Sequence, residues 1–177
     1  MGRRLLPGRL RPYLGRAGRR STDRRRRVRE KSIEKFAPLA DHLVAVEPKA
    51  DLVSAWDTAK GDKSSRKIGQ VPICWDPDKD KALQKAHDQF RWFAGGWAVN
   101  ADLPTPAGFE GASQYVRPED LAEQIPCGPD LDEIATAVKS YVDAGFTDIA
   151  VVQIGDEGQF EFLAQATEPL LGKLRAL

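Results

Sequence analysis

Residues 147–154, TDIAVVQI, form a nearly continuous apolar run between Gly145 and Gly155. Apolar residues on successive rather than alternate positions mark a strand with both faces in apolar surroundings, as in a parallel sheet covered by helices on either side. Parallel strands cannot be joined by a hairpin. They need crossover connections of about a dozen residues or more, ordinarily helices.

The sequence upstream has that rhythm. Residues 32–41, SIEKFAPLAD, read as the end of a helix broken by Pro38, and residues 42–46, HLVAV, as a buried strand. Residues 51–58 form a short helix that stops before Gly61, and residues 67–75, KIGQVPICW, are the next strand. Asp76 offers an N-cap with Pro77 at the first helical position, and Leu83, Ala86, Phe90 and Phe93 recur at helical spacing until Gly95 and Gly96. Residues 97–117 hold Pro104, Pro106, Gly108 and Gly111 without a clear period, which reads as a functional loop or excursion. A short helix follows from Pro118, then a short strand at residues 125–127. Asp130 and Glu133 stand in capping-box spacing ahead of a helix that Gly145 ends. After the apolar run, a last helix spans residues 159–174, bent by Pro169. Strands alternating with helices make this an α/β chain, with parallel strands in the order 42–46, 67–75, 147–154.

Charge divides the chain in two. Residues 1–31 hold twelve Arg and Lys31 against Asp23 and Glu30, a net +11 that leaves −10 for the remainder of a chain whose formal charge is +1. Residues 1–31 therefore read as a basic, disordered arm and residues 32–177 as the folded domain. Four readings of the arm compete. It could bind nucleic acid through Arg24 to Arg27 and Arg29, but a transit peptide should be Ser-rich and only Ser21 is present, and a secretory signal lacks its apolar stretch. GC-rich DNA read in the wrong frame, or from a wrong start, accounts for the whole composition. Cys74 and Cys127, 53 positions apart, exclude a disulfide scaffold and any Cys-x-x-Cys site, and no apolar run approaches the roughly 18 residues of a membrane span. A reducing, cytoplasmic setting is expected, with no membrane association.

Motif chemistry is sparse. Asp76, Asp78 and Asp80 imitate the start of a calcium loop, but Lys81 and His87 stand where Gly and Glu are required. His42 and His87 share no ligand spacing with each other or with a cysteine, so no metal is expected. Gly155-Asp-Glu-Gly158 occupies a place where phosphate could sit, yet its two carboxylates repel an anion, and a tight turn is the better reading.

The strings KIGQVPICWDPDKDKAL, FRWFAGGWAVNADLPTPAGFEGASQYVRPEDLAEQIPCGPD and AGFTDIAVVQIG closely resemble the C-terminal part of coenzyme F420-dependent oxidoreductases of the bacterial luciferase-like monooxygenase superfamily, in the branch related to glucose-6-phosphate dehydrogenase. The resemblance covers residues 32–177. It implies the C-terminal portion of a TIM (β/α)8 barrel, beginning around the sixth strand, in an enzyme that moves a hydride to or from a deazaflavin, with FMN as the alternative coenzyme. In that family the catalytic His and Glu and most coenzyme contacts lie upstream, so the resemblance assigns no catalytic residue here and leaves the cofactor-binding residues unassigned.

What the resemblance retains is the substrate side, the excursion between the seventh and eighth strands. Trp97, Asn100, Gln114, Tyr115 and Cys127 are the substrate-side candidates, each of which also reads as packing or loop hydrogen bonding. Sugar-phosphate dehydrogenases place basic side chains there, whereas residues 97–127 hold Arg117 alone, which favours an uncharged alcohol, ketone or activated alkene. A partial barrel leaves sheet edges and an inner face uncovered, so homodimerisation, self-association or a completing partner is expected. The alternative from another class is a non-catalytic half-barrel module whose arginine-rich arm binds nucleic acid. Because the arm carries charge without an apolar face, a chain beginning at Ser32 should keep the melting transition of the full chain; a large loss on deletion, read by circular dichroism, would overturn the reading of the arm.

Overall fold

The computed structural model describes residues 31–177 except 63, 156 and 157. All of the arm but Lys31, and the Asp156–Glu157 carboxylates, lie outside the described residues.

A helical segment at residues 31–36, α1, tightens into a 3-10 turn at Ala37–Leu39 that contains Pro38. The elements that follow are β1 (Leu43–Ala45), α2 (Ala50–Lys60), β2 (Lys67–Ile73), α3 (Lys79–Phe90) and a 3-10 segment at Arg91–Gly95. After these come α4 (Gly96–Asn100), α5 (Pro106–Ser113), α6 (Pro118–Ala122), α7 (Leu131–Asp143), β3 (Asp148–Gln153), α8 (Gly158–Gln165) and α9 (Thr167–Leu174). The three strands form one parallel sheet in the order β1-β2-β3, with Val44 opposite Ile68 and Gly69 opposite Ile149. Strand order thus follows chain order, as the alternating pattern implied.

The short strand expected at residues 125–127 is reduced to one bridge. Cys127 pairs with Cys74 where β1 has already stopped, Cys74 N–H donating to Pro126 O at 2.9 Å and Gly128 N–H to Cys74 O at 3.0 Å. Gly128 there adopts φ +112°, a conformation that favours glycine.

Several helix boundaries differ from the sequence reading. Asp78, not Asp76, caps α3, accepting from the Asp80 and Lys81 N–H groups at 3.0 and 3.2 Å. Asp76 is occupied one step earlier, where it accepts the Asp78 N–H, so the chain turns once before the helix begins. Regular α3 ends at Phe90 and only then narrows to the 3-10 segment reaching Gly95. Residues 97–117 are largely helical rather than loop. Thr105 caps α5 by accepting the Gly108 N–H, and Pro106 sits at its first position, a start signal without an apolar period behind it. The last helix is two, broken at Ala166, and Pro169 falls in the first turn of α9, where its missing N–H has no intrahelical acceptor to forgo.

Among the described residues, the helices do not cover both faces of the sheet. Ala45, Val71, Ile73 and Val151 pack with Ile134, Val138, Tyr141, Phe162 and Leu170 into the main core, so α7, α8 and α9 lie on one face. The other face carries Val44, Ile68, Gln70, Pro72, Ala150 and Val152, and there Pro72 is buried while Val44 is 62% exposed and Ala150 is exposed. Among the described residues it is closed at the strand C-terminal ends, where Cys74 and Ile154 pack with Ala82, Ala86, Leu121 and Ile125. An apolar face turned toward nothing and one turned toward a helix look the same in sequence.

Gly69 is where α7 meets the sheet most closely, and a methyl there would overlap the Tyr141 ring. Gly69→Ala should therefore cost about 1–3 kcal/mol. Gly111→Ala, in α5 with nothing nearby, should be neutral or stabilising by up to about 1 kcal/mol. Equal urea midpoints for the two variants would contradict this packing.

Candidate functional site

The connection from β2 to β3 leaves at Trp75 and returns at Cys127, so its helices stand at the C-terminal ends of the strands. The strand ends are clamped there. Gln153 of β3 accepts the Trp75 N–H and donates to Trp75 O, both at 2.9 Å, so one side chain imitates a further rung of the ladder. Beside it the Lys85 ammonium lies 3.1 Å from Asp76 Oδ2, with both side chains largely buried. Burial opposes ionisation of Asp76, but the Asp78 N–H and the Lys85 ammonium outweigh it and hold the carboxyl below its ordinary value. Lys85 also runs along the turn after β3, so close that a Cβ on Gly155 would meet its Cδ at 2.8 Å and one on Gly158 its Nζ at 2.7 Å. Gly155 adopts φ +125°, a conformation that favours glycine, while the middle of the turn the sequence suggested lies outside the described residues.

Within the connection, the end of α3 and the start of α5 enclose a cleft of about 630 Å³. Its apolar wall is Trp92 and Phe109, edge to face at 6.0 Å, with Pro104 and Pro106. Phe90 at 4.9 Å and Phe93 at 5.9 Å support the Trp92 ring from behind. Arg91 and Glu110, 3.9 Å apart, line both this cleft and an adjoining hollow of about 560 Å³ that reaches His87 and Gln114. His87 Nε2–H donates to Val116 O at 2.9 Å, while Nδ1 is enclosed without a hydrogen-bond partner. With Asp88 and Glu110 against Arg91, the cleft carries more negative than positive charge, which disfavours an anionic ligand.

The five sequence candidates do not converge on this cleft. Gln114 lines the adjoining hollow. Asn100 donates to Trp92 O at 3.1 Å and so holds the turn that carries the aromatic wall. Trp97 is 49% and Tyr115 85% exposed. Cys127 is a core residue, 5% exposed, its thiol pushed up to about 12 by burial and then by neighbouring Cys74, whose own thiol burial raises to about 11. Arg117 is paired with Asp120, whose carboxylate accepts from its backbone N–H and guanidinium. Sequence reasoning missed Arg91, Trp92, Phe109 and Glu110. The dense aromatic string FRWF was a usable signal, but it read equally as the buried face of a helix.

No protein-family model matches the sequence, and no curated protein matches it. Among solved structures, the fold is similar to that of an F420-dependent secondary alcohol dehydrogenase in complex with an F420-acetone adduct, with a TM-score of 0.62 and 17% identity. The superposition covers 82% of this chain and 46% of the other, so this chain spans less than half the length of that protein. At this identity the likeness establishes a shared α/β fold. No helix among the described residues is long and apolar enough to cross a membrane.

The two thiols give the site a direct check. Both are buried and neutral at ordinary pH, so neither should react with Ellman's reagent at pH 8 in the native protein, and both should react promptly after denaturation. Rapid labelling of Cys127 in the native state would return it to the substrate side.

Proposed function

We propose that this chain is the C-terminal, substrate-side portion of an F420-linked oxidoreductase with a barrel of the luciferase-like type, acting on a small uncharged alcohol or ketone. The observation that carries the reading is the fold likeness to an F420-dependent secondary alcohol dehydrogenase over 82% of this chain. The quoted sequence strings support it independently of the coordinates. Consecutive parallel strands with helices on one face also fit a segment of a barrel wall, whose other face looks inward. The substrate class follows from the cleft: an aromatic and proline wall, an excess of carboxylate, and Arg91 already facing Glu110.

The described residues do not make a whole deazaflavin pocket. They supply three strand ends, and Lys85 there is held by Asp76 rather than free to meet an anionic coenzyme tail. A bound deazaflavin would supply hydride chemistry, and this chain's part is to shape and dry the substrate side. The coenzyme would be held mainly by barrel units outside this chain.

Titrating the 177-residue chain with F420 and following coenzyme fluorescence should show little or no binding, whereas the chain joined to the upstream half of a deazaflavin-dependent barrel should oxidise a small secondary alcohol with F420. In that joined enzyme, Trp92→Ala should raise KM roughly tenfold or more while the chain stays folded. Tight one-to-one binding of F420 by the chain alone would contradict the divided pocket, and a joined enzyme that binds F420 without turning over any alcohol or ketone would refute the substrate class.

A further inference from the structure

Arg91 and Glu110 are shared by the apolar cleft and the adjoining hollow, and the Arg91 Nη2 stands 3.9 Å from Glu110 Oε1. That separation is within Coulombic range but too long for a hydrogen bond, unlike Arg117, whose Nη2 donates to Asp120 at 2.8 Å. Among the described residues neither the Arg91 guanidinium nor the Glu110 carboxylate is hydrogen-bonded. The backbone beneath both is held. Asn100 bonds Trp92 O at 3.1 Å beside Arg91, and Ser113 Oγ donates to Phe109 O at 2.8 Å within α5. The space between the two charges is therefore set by the packing of α5 on the 3-10 segment.

A guanidinium only donates and a carboxylate only accepts, so the group that suits the space between them is an oxygen that does both. An alcohol does. A ketone or an ether only accepts, an ammonium meets Arg91 as a like charge, and a carboxylate meets Glu110 and Asp88. Beside this pair stand rigid, flat apolar surfaces: Trp92 and Phe109, edge to face at 6.0 Å, with Pro104 and Pro106. Phe90 and Phe93 fix the Trp92 ring from behind. At about 630 Å³ the cleft is in the range that encloses a drug-sized ligand, far more than a propanol-sized molecule displaces. We propose that the cleft takes a neutral, ring-bearing alcohol, its rings against Trp92 and Phe109 and its hydroxyl between Arg91 and Glu110, with Glu110 selecting the hydroxyl. In calling this ligand the substrate the inference rests on the reading above and narrows it, whereas the binding itself needs no coenzyme.

Titrating the isotopically labelled full chain and following the Trp92 indole N–H by nuclear magnetic resonance tests this, with tetralol, a two-ring secondary alcohol, its methyl ether, the carboxylate of the same ring system, and isopropanol. Tetralol should bind roughly tenfold or more tighter than its ether and than isopropanol, and the carboxylate should not bind. Glu110 is exposed on α5, so its variants should keep the far-ultraviolet circular dichroism of the parent. Glu110→Ala should erase the preference for alcohol over ether, Glu110→Gln should keep part of it, and Arg91→Ala should weaken alcohol and ether alike. Equal affinity for alcohol and ether overturns the proposal, as does a preference that survives Glu110→Ala. So does isopropanol or the carboxylate binding as tightly as tetralol, or no shift at millimolar tetralol. In the joined enzyme, kcat/KM for tetralol should exceed that for isopropanol roughly tenfold. Turnover of alcohols without that preference would sink this ligand and leave the oxidoreductase reading standing, whereas selective tetralol binding with no turnover of any alcohol would sink that reading and leave the site.

Discussion

The rest of the fold hangs on the double pairing of β2. It is bonded to β1 on one edge and to β3 on the other, and its residues from Val71 onward are buried. Parallel pairing on both sides obliges the chain to cross over twice, and α2 and the long α3–α7 connection are those crossovers. Tyr141 ties the second to the sheet. Its hydroxyl lies 2.8 Å from Val46 O and 3.1 Å from Gln70 O and shares its one hydrogen between them, so one side chain of α7 reaches backbone just beyond β1 and within β2. Gly69 lets the ring approach that closely, and burial pushes the phenol up to about 12.

The same strand sets the place of the cleft. The Cys74 N–H and C=O are taken by Pro126 and Gly128, so the connection begins and ends beside the residue that follows β2. Everything between, including the Trp92–Phe109 wall and the Arg91–Glu110 pair, is anchored at both ends to the C-terminal side of the sheet. The two cysteines pack together at that seam. Burial raises both thiols there.

Burial is lopsided for a related reason. The helix-covered face holds the main core, and a second cluster closes the strand ends, yet among the described residues nothing covers the middle of the opposite face. In a barrel such a face would be interior, filled by side chains from strands across the axis. Here, among the described residues, no such side chains meet the middle of that face.

Strand identity, chain order and parallel pairing were legible in the sequence, because β-branched and apolar runs separated by helical periods leave few topologies open. Helix starts were legible where a capping side chain stood unopposed, as Asp130 does before α7, and misread at Asp76, whose carboxylate goes to Lys85 and the Asp78 N–H instead. The five candidate residues came from a resemblance, and the fold dispersed them: Gln114 to a hollow, Asn100 to a turn, Trp97 and Tyr115 to the surface, Cys127 to the core. Only the tertiary structure could bring Arg91 opposite Glu110 and Trp92 against Phe109, since those pairs are made by two helices folding onto each other and no local spacing encodes them. Only it could show that the apolar run of β3 is covered on one side, because hydropathy records what a residue prefers and not whether a neighbour is present to meet it.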